Sequence, residues 1–236
     1  MTVGLDVLAR PSRNVRTMEL VVAMGEDATG ELVLLYQTHS PYARKVLVFA
    51  HEAGLAHRLR IVHYETSPTN RNAAIFAVNP LGKVPVLILP DQFVLFDSTV
   101  ICEYLGTLSP AAMPLPSAGL ERWAALRLQA LAQGMCEAGI AVRWETERRP
   151  EPLRYPALRD GQMIKLIEAY DFLEHEADLD SPVNVGQIAI GTCLDWLIFR
   201  GLPDFRPQRP RLARWYHSFV QRSSMQATTY QGQTMD

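Results

Sequence analysis

Cysteine is scarce in this chain: Cys102, Cys136 and Cys193 are the only three in 236 residues. They are far apart and odd in number, and each lies in an apolar helical pattern. That suits buried free thiols in a reducing compartment and argues against a disulfide framework. An excess of one charge is also missing. Twenty-three basic against 25 acidic residues leave a formal charge of −2, with no basic stripe to neutralise a phosphate backbone, so nucleic acid is not an expected partner. No window approaches the roughly 18 apolar residues that a membrane-spanning helix needs, and the six histidines lack metal-ligand spacing. A soluble cytoplasmic protein without a metal is expected. His39, beside Ser40, reads as a surface residue.

What is present is ample material for a core, with 48% apolar and 20% charged residues, enough for one large domain or two small ones. Residues 1–30 carry mixed charges and an apolar piece too short for a secretory signal, so a poorly ordered N-terminal extension is expected there. From Leu32 the pattern alternates between strand and helix. Leu32 to Tyr36 reads as a strand, Pro41 to Ala53 as a helix stopped by Gly54, Leu59 to Tyr64 as a strand, and Asn70 to Phe76 as a short helix. Val84 to Leu89 and Phe93 to Phe96 form a hairpin around Pro90-Asp91-Gln92, and Asp97-Ser98 caps a helix to about Leu108. Residues 31–108 are thus a complete small α/β domain.

Residues 109–118 hold three prolines in seven positions and read as a linker. Every signal in 119–236 is helical. Leu120, Ala124, Leu128, Leu131 and Met135 share one predicted face, as do Met163, Leu166, Ile167, Tyr170 and Leu173. A helix is predicted from about Leu158, another over Ile188 to Phe199 that is apolar nearly all round, and a last one over Arg211 to Arg222. The start of the nearly apolar helix is open between Gly186 and Thr192.

At the turn Ser40-Pro41-Tyr42-Ala43, a thiol-disulfide protein would carry Cys-x-x-Cys. Here a hydroxyl stands in place of the attacking thiol and alanine in place of the resolving one, so any reacting sulfur must come from a ligand. A free thiol near pKa 8.5 is mostly protonated at neutral pH, and a hydroxyl at a helix N-terminus can stabilise its anion together with the free amides of the first turn. Ser40 is suited to that task or to capping the helix alone.

Ser40-Pro41-Tyr42-Ala43-Arg44-Lys45-Val46, then Asn79-Pro80-Leu81-Gly82-Lys83-Val84-Pro85-Val86-Leu87, then Asp97-Ser98, in this order and ahead of an all-helical domain, resemble the cytosolic glutathione S-transferases, most closely the bacterial serine-type ones. The resemblance spans Leu32 to about Tyr230. It implies a thioredoxin-like α/β domain followed by an all-α domain, and a homodimer that uses glutathione as co-substrate. Ser40 would stabilise the thiolate, with Tyr36 the alternative because some classes use a tyrosine there. A cis bond at Val84-Pro85 would present the Val84 backbone to the peptide. Asp97 and Ser98 would hold the γ-glutamyl end, and Lys83 the glycine carboxylate. Met135 and Trp144 are candidates for the electrophile side. Conjugation in detoxification, dehalogenation, isomerisation and peroxide reduction share this thiolate and are not separated by the sequence. A non-catalytic glutathione-binding or regulatory protein is the alternative.

Overall fold

The structure, a computed structural model, describes residues 31–109 and 114–230. The expected extension at 1–30 and part of the expected linker lie outside the described residues. The first strand, β1 (Leu32–Tyr36), is buried along its whole length. Its alternating side chains serve two faces of the sheet: Leu32, Leu34 and Tyr36 join one core cluster, Val33 and Leu35 another. A strand covered on both sides has no solvent face, so the continuous apolar run follows from its central position.

Helix α1 (Pro41–Glu52) crosses over to β2 (Leu59–His63), which pairs parallel with β1. Helix α2 (Ala73–Val78) then leads to β3 (Val86–Ile88) and β4 (Val94–Leu95). Both pairings, β1 with β3 and β3 with β4, are antiparallel, giving the strand order β2-β1-β3-β4. Helix α3 (Ser98–Leu108) closes the domain. The short helix begins at Ala73 instead of Asn70, because the Asn72 side chain accepts from the amides of Ala74 and Ile75 and so fixes the first turn. This mixed four-stranded sheet with helices on its faces is the thioredoxin-like domain expected.

The rest is helical: α4 (Gly119–Arg143) continuing into a π-helical turn (Trp144–Arg148), α5 (Pro156–His175), α6 (Val185–Phe199), α7 (Pro210–Phe219) and the short α8 (Ser223–Gln226). Twelve of the fifteen residues of α6 are buried, as its near-uniform apolarity requires. Its start is neither Gly186 nor Thr192. Asn184 caps it, its Oδ1 accepting from the backbone amides of Gly186 and Gln187, while the Gln187 side-chain amide donates back to the carbonyls of Leu179 and Ser181. The predicted inner face of α4 is also corrected. Ala125, Leu128, Ala132, Met135 and Cys136 are buried, whereas Leu120 is 85% exposed and Ala124 faces outward. The last predicted helix stops at Phe219, and α8 begins after a short break.

Close approach of α4 to α6 sets that register. A Cβ on Gly186 would stand 2.5 Å from the Ala125 carbonyl oxygen and 2.7 Å from Leu128 Cβ. Backbone cannot swing aside as a flexible side chain can. Gly186→Ala is therefore expected to destabilise the fold by about 3 kcal/mol, near the upper end for overpacking, seen as a lowered denaturant midpoint at unchanged m-value.

Candidate functional site

Strand direction brings the three motifs together. β1 runs towards Ser40, β3 is antiparallel to it and begins beside the end of β1, and β4 is antiparallel to β3 and ends beside its start. The turn after β1, the Val84-Pro85 segment before β3 and the Asp97-Ser98 corner after β4 therefore share one edge of the sheet.

Ser40 is the N-cap of α1, with extended backbone and Oγ accepting from the Ala43 amide at 3.2 Å. Capping uses only an oxygen lone pair, so the hydroxyl proton stays available to a neighbour, and the two readings of Ser40 are compatible. Pro41 occupies the first helical position, where no amide hydrogen is required. The Ser40 amide itself donates to the Gln37 carbonyl at 3.0 Å. Tyr36 is 7% exposed in the core beneath the turn. Burial raises its phenol pKa, partly offset by nearby Arg44.

His39 is buried, contrary to the surface position expected. Its carbonyl accepts from the Trp196 indole N–H at 3.0 Å, which ties the turn at Ser40 to α6. Its ring lies 3.4 Å from Glu65, a carboxylate that also accepts from Gln37 at 2.6 Å and contacts His63 at 2.7 Å. Partial desolvation works against it, yet the hydrogen bonds with His63, Gln37 and His39 hold the Glu65 carboxyl below its ordinary pKa.

The Val84-Pro85 peptide is cis. Its loop is braced by the Asn79 amide donating to the Lys83 carbonyl and by the Thr66 hydroxyl donating to the Gly82 carbonyl, both at 2.8 Å. Lys83 is exposed, whereas Val84 and Pro85 are buried. At the third corner, Asp97 caps α3, accepting from the amides of Thr99 and Val100 at 2.8 and 3.5 Å. Ser98 is 1% exposed, and its Oγ finds no hydrogen-bond partner among the described residues. An unsatisfied buried hydroxyl is uncommon in a folded protein.

The helical domain adds residues that the sequence reading did not single out. From α4, Gln133 lies 3.4 Å from both Asp97 and the Thr99 hydroxyl. Beneath it, a void of about 10 Å³ is lined by Pro41, Tyr42, Lys45, Gln129, Gln133 and Cys136 among others. On the opposite face of α4 at the same level, a cavity of about 440 Å³ opens towards α5, lined by Met135, Glu137, Gln162 and Lys165 among others. Trp144 lies half-buried in the π-helical turn. Cys102, Cys136 and Cys193 are buried free thiols, as expected. No group of three or more His, Cys, Asp or Glu that could hold a metal occurs among the described residues, and no helix there is long and apolar enough to cross a membrane.

Residues 39–108 match the family model for the glutathione S-transferase N-terminal domain. A glutathione transferase family member from Pseudomonas fluorescens Pf-5, solved with bound glutathione, is 39% identical, covering 86% of this chain and all of that one, with a TM-score of 0.82. The chain belongs to the glutathione transferase family. A second glutathione S-transferase, from Methylobacillus flagellatus and also solved with glutathione, is 34% identical over 84% of this chain and 99% of its own, with a TM-score of 0.75. The uncharacterized GST-like protein YibF of Escherichia coli is 29% identical over 80% of this chain and 94% of its own. In glutathione transferase terms, the sheet edge built above belongs to the domain that the family model covers.

Proposed function

We propose that the protein is a serine-type glutathione-dependent transferase that binds glutathione along the shared sheet edge and activates its thiol. The observation that carries this reading is the convergence of a helix-capping hydroxyl with a free proton, a cis Val84-Pro85 segment and a corner holding an unsatisfied buried hydroxyl. Glutathione lies extended along Val84, whose backbone pairs with the cysteinyl unit. Its γ-glutamyl ammonium meets Asp97 and its carboxylate the Ser98 amide and hydroxyl, and Lys83 reaches the glycine carboxylate. Ser40 donates to the sulfur, and the N-terminus of α1 adds positive potential. The thiol proton leaves to solvent, and the thiolate attacks an electrophile arriving over α4. Two relatives solved with glutathione support this choice of co-substrate. Tyr36 is the less favoured stabiliser, because it sits in the core below the turn.

Calorimetry with glutathione, followed by the ultraviolet thiolate band of the complex, tests the proposal. Binding with a band that disappears in Ser40→Ala is expected. No binding at millimolar glutathione overturns the assignment, and binding without a Ser40-dependent band leaves a non-catalytic glutathione-binding protein or points to Tyr36. We also propose a cytoplasmic homodimer acting in detoxification. Sedimentation showing a monomer at micromolar concentration contradicts the dimer.

A further inference from the structure

Two cations follow each other on α1, and only one is neutralised. Arg44 forms an ion pair with Asp195, donates to the Thr228 hydroxyl and the Met225 carbonyl at 3.3 and 3.1 Å, and lies 4.2 Å from the Tyr230 ring centroid. Lys45 is 4% exposed and lines the small void between α1, α4 and α6, yet it makes no hydrogen bond or ion pair among the described residues. The same void is lined by Gln129, 3% exposed, whose Oε1 also lacks a partner. About 10 Å³ is room for one water at most. Burial lowers the pKa of the Lys45 ammonium against the opposing pull of its neighbours, Asp97 among them, and a buried cation with no ion pair weakens a fold. Its presence calls for something that gains from the charge.

Direction along the helix identifies that beneficiary. Five residues separate Lys45 from Ser40, about 7.5 Å of helix rise, and helical side chains lean back towards the N-terminus. Pro41 and Tyr42, from the first turn of α1, line the same void. The ammonium therefore sits behind the turn that faces the sulfur. The ionisable groups around it are Tyr42 on its own helix, Asp97 and Cys102 of α3, and Cys136 of α4. Burial raises the Tyr42 phenol and pushes the Cys102 thiol up to about 12, so both are neutral. Asp97 is the counter-charge nearest to hand, and glutathione's own ammonium occupies it in the complex.

We infer that Lys45 is an electrostatic positioning residue for the glutathione sulfur, a buried charge whose field favours the thiolate that Ser40 holds. This rests on the glutathione reading proposed above. At an effective dielectric of about 20 and a separation of about 10 Å, one charge moves a thiol midpoint by about one pH unit, or tenfold in the ratio of thiolate to thiol.

The test titrates the ultraviolet thiolate band of the glutathione complex in the wild type, Lys45→Met and Lys45→Gln. Lys45→Met keeps most of the length of the side chain and removes its charge. It is expected to raise the midpoint of bound glutathione by about one pH unit, with melting temperature equal to or above the wild type because an unpaired buried cation is gone. A purely structural lysine would give the reverse: an unchanged midpoint with a lowered melting temperature, which overturns the inference. If Lys45→Met does not fold, Lys45→Gln is titrated instead, and failure of both to fold also overturns it. A wild type with no thiolate band sinks the glutathione reading itself, an outcome distinct from a band that is present and indifferent to Lys45.

Discussion

Ser40→Ala is expected to lower glutathione-dependent turnover about a hundredfold, read with saturating glutathione and an activated aryl chloride such as chlorodinitrobenzene. Removal of one preorganised donor aimed at a developing or resident anion costs a factor of about 10²–10³. The lower end applies here, because the helix amides and Lys45 remain. Two effects must be separated in this variant. The Ser40 side chain also caps α1, so alanine there costs about 1 kcal/mol of stability. Ser40→Thr keeps both the cap and the hydroxyl and is expected to recover most of the activity, whereas Ser40→Gly largely spares the cap energy but restores no turnover. Tyr36→Phe, which removes only a hydroxyl in the core below the turn, is expected to cost less than about threefold. A Tyr36→Phe loss as large as that of Ser40→Ala would transfer the donor role to the strand.

The motifs around Ser40 were legible in the sequence because each is a local device. A strand end, a helix-capping serine with proline after it, an X-Pro bond and an Asp-Ser corner have signatures a few residues long. Features that depend on helix against helix were not. The Asn184 cap lies three residues ahead of a Gln that turns back to Leu179 and Ser181. Asn184 is not the Ser or Thr that opens an ordinary capping box, so the local residues give no clear start. The inward face of α4 was misplaced for the same reason. Leu120 fits the 3.6-residue period but stands exposed, whereas Ala125, which packs at Gly186, has little apolar bulk to announce itself. Gln133, Gln129 and Lys45 acquire meaning only when α4 lies against α1 and α3. His39 is polar by type, yet it is buried because Trp196 reaches its backbone from 157 positions away.

Asp195→Asn is expected to destabilise the protein by about 3 kcal/mol and to weaken the site as well. Asp195 is the one charged residue of α6, and its carboxylate meets the Arg44 guanidinium on one side and accepts from the Tyr216 hydroxyl at 2.5 Å on the other. The Arg44 side chain is 1% exposed and that of Asp195 26%, so loss of the carboxylate leaves a guanidinium in the interior with neutral partners only. Orphaning one member of a buried pair costs about 3–5 kcal/mol, and partial hydration of Asp195 favours the lower end. The double variant Arg44→Met/Asp195→Asn is expected to be more stable than Asp195→Asn alone, since the orphaned charge leaves with its partner. The functional effect follows from sequence neighbours: Asp195 grips α1 at Arg44, and Trp196 grips the carbonyl just before Ser40. Loosening the first contact gives the second more play. Turnover in Asp195→Asn is therefore expected to fall severalfold below the folded fraction, measured well under its melting temperature. A variant with full turnover per folded molecule would confine Asp195 to stability.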